Sequence, residues 1–242
     1  MFEEALRFPW NGDKKIETQA IGGVLTLLGV FFVPVLFVYG YLIRVIRQTA
    51  SGTVDEPPVF SDWKELLVDG FVGFAISLVY TLIPGLVITV GTVVVFGSFG
   101  VVGSAAADSG SGGLLAAGGL LIALVIGLVS LVLFVAAVYV VPAAVAAFAR
   151  TGEFGAAFSP SILRPMLTDR RYASAWVVAV AIAILAQIAG GAASATGVGA
   201  ILVPFLTFYG NVAGAYAIGI GISELDTFGG TDEETPAAQP AV

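Results

Sequence analysis

The densest chemistry in the chain is the stretch FSDWKELLVDG, residues 60–70, where Asp62, Lys64, Glu65 and Asp69 stand among Trp63, Leu66 and Leu67. Asp62 with Glu65 three residues on reads as a capping pair at a helix start. Trp63, Leu66, Leu67 and Phe71 then share one helical face, with Lys64, Glu65 and Asp69 opposite. That stripe suits a helix lying in a membrane interface, with Trp63 at headgroup level and Gly70 turning the chain into the next span; the alternative is the first turns of one long helix. Much other chemistry is excluded, because the chain has no cysteine and no histidine: disulfides, thiol catalysis, the usual zinc or copper sites and a histidine base all go. No metal, no cofactor and no catalytic residue is expected.

Arg44, Arg47, Arg164, Arg170 and Arg171 flank apolar runs and are candidate contacts for anionic headgroups. Each contributes about 1 kcal/mol near such a surface, and less in molar salt, where the Debye length falls to roughly 3 Å. Trp10, Trp63 and Trp176 stand at or just beyond the ends of apolar runs, as interfacial anchors do. Within the apolar runs, Gln187 and Asn211 are the polar groups to explain. They lie about 12 Å and about 24 Å from the turn between their spans, too far apart to pair. Gln187 comes level with residue 203, where Pro204 would free the carbonyl of Ala200, so it is expected to satisfy that kink at about 0.6 kcal/mol. A ligand contact is the alternative role.

The elements that must position these groups follow from hydropathy. Apolar residues make up 58% of the chain and charged ones 11%, with a mean hydropathy of +0.99; soluble domains run about 25% charged. No Asp, Glu, Lys or Arg occurs in 18–43, 70–107, 109–149 or 172–223. A span needs roughly 20 apolar residues, and runs such as LLIALVI (120–126) are apolar on every face, without the alternation of a membrane barrel. The fold class is an all-α membrane protein: a bundle of about five transmembrane helices, near 19–43, 71–97, 114–141, 172–191 and 198–222, with amphipathic interfacial helices between spans 1 and 2 and between spans 3 and 4. Residues 1–18 form an N-terminal interfacial segment rather than a cleavable signal, 19–222 the polytopic domain and 223–242 an acidic disordered tail.

Seven of the ten Lys and Arg fall in 44–69 and 150–171, which the positive-inside rule makes cytoplasmic loops of a multi-pass cell-membrane protein. Five spans then put the N-terminus outside, against the vote of Arg7, Lys14 and Lys15. Partners are membrane lipids and a second copy or a membrane complex. Nucleic acid is not one, for want of clustered positive charge.

Two internal echoes stand out. Phe60-Ser61 and Phe158-Ser159 each open a charged connection preceded by an arginine and a glycine, Arg47 with Gly52 and Arg150 with Gly152. The pattern P-x-L-x-x-Y-G occurs at Pro34–Gly40 and at Pro204–Gly210, on helices expected to run the same way. Small residues at Gly119-x3-Ala123-x3-Gly127, Gly210-x3-Gly214 and Ala213-x3-Ala217-x3-Gly221 suit close helix packing or self-association.

The layout EEALRFP, VYGYLIRVIR, DWKELLVDG, PAAVAAFARTGEFGAAF resembles the archaeal multi-pass family known as domain of unknown function 4013, over roughly residues 2–222. The resemblance implies an archaeal, salt-adapted cell membrane and a helical fold with interfacial helices. It brings no activity and no functional residues. The expectation is a non-enzymatic, structural or organising membrane protein; the alternative is a passive transporter or channel for a small solute, built on helices broken at Pro34, Pro142 and Pro204.

Overall fold

The computed structural model describes residues 1–109, 112–223 and 225, with side chains at 1–95, 118–223 and 225. The described residues form eight α-helices: α1 (Phe2–Arg7), α2 (Lys15–Leu27), α3 (Val33–Ala50), α4 (Trp63–Ser109), α5 (Gly112–Thr151), α6 (Pro160–Thr168), α7 (Arg170–Ser194) and α8 (Val203–Ser223). Short 3-10 turns at Phe8–Trp10, Leu28–Phe31, Phe154–Phe158 and Val198–Leu202 connect them. Among the described residues, four stretches are long and apolar enough to cross a membrane: Trp63–Val95, Gly118–Thr151, Arg170–Ser194 and Val198–Ser223.

The span expected over 19–43 is not one helix. It breaks at the turn Leu28–Phe31 and at Phe32, whose φ of 37° no helix continues, and α3 then starts at Val33 with Pro34 second. The two halves run opposite ways. Phe8 packs on Tyr216, while Gly22 and Gly23 lie against the rings of Phe208 and Phe205, so the chain travels down α8 through α2. It returns in α3, from Tyr41 beside Phe208 to Thr49 beside Gly219. This hairpin overturns the expected placement of the N-terminus on the face opposite 44–69: Gly12 sits against the side chain of Glu56.

The stretch 63–70 is not a separate in-plane helix either. It forms the first turns of α4, which is 47 residues long, or about 70 Å at 1.5 Å per residue. Gly70 makes no turn. The capping pair is absent too: Asp62 has φ 51°, outside the extended backbone of a capping residue, and Glu65 is turned to arginines. Between α5 and α7, α6 buries Leu163 and Met166 and exposes Ser161, Arg164 and Thr168. Asp169 caps α7, its carboxylate accepting from the Arg171 N–H at 2.6 Å. Of the tail expected to be disordered over 223–242, Ser223 closes α8 and Leu225 is buried, while the rest lies outside the described residues.

Pro34 and Pro204 each occupy the second residue of a helix that follows a 3-10 turn. A proline there forfeits no helical hydrogen bond, so neither breaks a helix. Only Pro142, of the three, stands inside one.

Packing is concentrated at one end. Tyr41, Leu66, Ile76, Ala143–Ala149, Phe208 and Ile222 form a buried core where α3, α4, α5 and α8 meet the charged connections. Beyond it, large apolar residues of α4 from Leu78 to Val94 and of α5 from Leu120 to Val135 are exposed, as on a surface that meets lipid.

Candidate functional site

Arg44 and Arg47 are three residues apart on α3 and so share a face; Glu65 and Asp69 are four apart on α4 and do the same. The two faces meet. Arg47 pairs with Asp69 at 2.9 Å and with Glu65 at 3.5 Å, and Arg44 pairs with Glu65 at 3.5 Å. Arg44 also donates to the Ser61 carbonyl at 2.9 Å and to its hydroxyl at 3.1 Å. Arg47 and Arg150 then cross between α3 and α5. Arg47 donates to the carbonyl of Ala149 at 3.1 Å, and Arg150 donates to that of Ala50 at 2.7 Å. Each cation thus meets the negative end of the other helix, where terminal carbonyls lack partners.

The two connections are held by matching tyrosines. Tyr41 donates to the Pro58 carbonyl at 2.9 Å and stacks on Phe60; Tyr80 donates to the Ala157 carbonyl at 2.6 Å and stacks on Phe158. Gly52 and Gly152, both at positive φ, end α3 and α5 before them. The Phe-Ser echo therefore marks one device used twice.

Pro142 has no N–H to give Val138, four residues back, so that carbonyl loses its helical partner. The indole N–H of Trp176 supplies one at 2.9 Å. One residue on, Tyr172 donates to the carbonyl of Tyr139 at 2.6 Å, and Tyr139 itself donates to the Leu167 carbonyl at 2.7 Å. The first turns of α7 thus close the backbone that the proline opens.

The other site residues expected from sequence are scattered. Trp10 is exposed at the end of its 3-10 turn, and Trp63 is half exposed at the start of α4, stacked on Phe60 and edge-on to Phe37. Arg164 and Arg170 are exposed and make no ion pair among the described residues; Arg171 is exposed at the start of α7. Gln187 faces outward from α7 and does not bond Ala200: with Pro204 in a first turn, no kink needs it. Asn211 lines a cavity of about 450 Å³ between α3, α5, α7 and α8. Of the small-residue patterns, those of α8 pack on α7, with Gly210 at Ala186, Gly214 at Ala179 and Gly221 at Ala175. Gly119 and Gly127 of α5 face open space. Sequence reasoning missed the closing role of Trp176, although its signal was present in a mid-helix proline and an aromatic donor on the next long helix.

Four membrane-length apolar helices among the described residues, with an internally paired charge cluster between α3 and the start of α4, define a multi-pass helical membrane protein. The chain belongs to the family described as Protein of unknown function (DUF4013), whose model matches residues 24–195. That range takes in the arginine cluster, Pro142 and Trp176, and stops before α8. No curated protein and no solved structure matches the chain.

Proposed function

We propose that the protein is a non-enzymatic membrane organiser, which holds lipid or a membrane partner around its splayed helices. The observation that carries this reading is the bond from Trp176 to the Val138 carbonyl. A helix broken for transport leaves carbonyls free to coordinate its cargo; here the freed carbonyl is occupied by a neighbouring helix. Headgroup contact falls to Arg164 on α6 and Arg170 just after it, since Arg44 and Arg47 are engaged with carboxylates and carbonyls. Lys and Arg concentrate in 1–15, 44–64 and 150–171, and the positive-inside rule assigns these segments to the cytoplasm of the cell, with α1 and α6 in its interface. The acidic balance, 17 Asp and Glu against 10 Lys and Arg, fits a salt-adapted archaeal cell.

Purification in lipid nanodiscs followed by native mass spectrometry tests this. Retained anionic lipid, reduced in Arg164→Gln with Arg170→Gln, or a stoichiometric membrane partner, is the expected result. A bare monomer indifferent to lipid composition contradicts it.

The cavity beside Pro142 favours a second reading, passive passage of a small neutral solute. Liposome swelling decides between them: the organiser gives the rate of empty liposomes for glycerol and urea, and a channel exceeds it.

A further inference from the structure

The cavity between α3, α5, α7 and α8, about 450 Å³, falls within the range of about 300–1,000 Å³ for small-molecule sites. Its room comes from small residues, among them Ala179, Ala183, Gly210 and Gly214. No charged side chain lines it. Val138, Val180 and Ala183 also line an outward groove along α7 that reaches Gln187, so cavity and groove adjoin at these three residues.

The polar groups in this apolar lining are few, and most are occupied. Thr26 donates to Gly22 at 2.8 Å, Ser77 to Gly73 at 2.9 Å and Trp176 to Val138 at 2.9 Å. Asn211 is an exposed residue whose carboxamide makes no hydrogen bond with a described residue, nor does the hydroxyl of Tyr39, which also lines the cavity. Waters would each need two to four polar partners, which such a lining lacks. An unpaired charge would be costly there, whereas a carbonyl would find a donor in the carboxamide and a hydroxyl both a donor and an acceptor.

We propose that the cavity and groove bind a neutral, lipid-soluble molecule with one apolar chain, its carbonyl or hydroxyl held by Asn211 and its chain running along α7 past Gln187. Both straight acyl and branched isoprenoid chains fit this chemistry. The proposal is independent of the organiser reading, because a site of this kind serves a scaffold and a lipid-handling protein alike.

The test uses the full chain in nanodiscs, photolabelled with diazirine analogues of a long-chain fatty alcohol, an isoprenoid alcohol and a fatty acid, with labelled peptides mapped by mass spectrometry. Saturable labelling within 176–187 or 210–218 by an alcohol, competed by the unlabelled alcohol, is expected; the alcohol with the lower half-saturation names the source. The fatty acid requires a higher concentration. Asn211→Leu raises the half-saturating concentration roughly fivefold, the loss of one neutral hydrogen bond. Ala183→Trp, which places a bulky ring where cavity and groove adjoin, abolishes saturable labelling, and competition in the unaltered protein decides if that variant does not fold. Labelling that never saturates, is not competed, or follows the exposed faces of α4 and α5 alike overturns the proposal.

Discussion

Gly70 of α4 lies so close to Gly40 of α3 that a Cβ built on it would fall 2.9 Å from the Gly40 nitrogen and collide with the Leu36 carbonyl. A Cβ on Gly40 would in turn strike the Leu66 carbonyl. Both obstacles are backbone, which cannot rotate away. Backbone contact at this point is what brings Glu65 and Asp69 within reach of Arg44 and Arg47. Gly40→Ala and Gly70→Ala are each expected to cost about 3 kcal/mol, the top of the usual range for overpacking. Thermal unfolding in detergent measures this, and the double variant should lose less than the sum, since one helix shift relieves both clashes.

Trp176 and Pro142 form a double-mutant cycle. Trp176→Phe keeps the ring and removes the N–H, leaving the Val138 carbonyl unpaired, and is expected to cost about 1 kcal/mol. Pro142→Ala restores the backbone donor to that carbonyl. In its background Trp176→Phe should cost close to nothing beyond its packing change, and equal losses in both backgrounds would show that the indole bond does not serve the proline break.

The arginine cluster predicts an asymmetry between its two acids. Asp69 is well covered and meets Arg47 at 2.9 Å, whereas Glu65 is more than half exposed and sits at 3.5 Å from both arginines. Asp69→Asn should therefore lower stability by about 2 kcal/mol, and Glu65→Gln by less than about 0.5 kcal/mol. Raising salt should shrink the Glu65 effect more, because exposed pairs are the ones ions screen.

These contrasts also mark what the sequence made legible. Four apolar runs became membrane-length helices because nothing in them offered the backbone an alternative, and Gly210, Gly214 and Gly221 of α8 pack on α7 as their spacing implied. The residues 19–43 read as a fifth because hydropathy cannot see that Phe32 takes φ 37°. Pro34 and Pro204 read as breaks because a proline in a first turn and one in mid-helix look alike until the helix start is known. The charged face of 63–70 pointed to water or headgroups on periodicity alone; its true partners, Arg44 and Arg47, stand on another helix, and a residue's partner across a helix pair has no signature in local spacing. Pairing Gln187 with Ala200 failed for the same reason as the proline readings, since the kink it was to satisfy does not exist.

Gly119 and Gly127 face open space on α5, in contrast to the α8 glycines. Gly127→Ala should leave the monomer as stable or raise its stability by up to about 1 kcal/mol, as alanine favours helix over glycine. Crosslinking in membranes reads the other possibility: a fall in dimer yield with this variant would assign the face to a second copy.

The central claim is that the cationic segments, including the N-terminal one, gather at a single face because α2 and α3 form a hairpin. The chain has no cysteine, so single cysteines can be read without background. Asn11→Cys, Glu56→Cys, Ser161→Cys and Thr196→Cys are all at exposed positions. With a membrane-impermeant maleimide applied to oriented vesicles, Asn11, Glu56 and Ser161 should label from one side and Thr196 from the other. Labelling of Asn11 together with Thr196, opposite Glu56, would contradict the hairpin and the topology built on it.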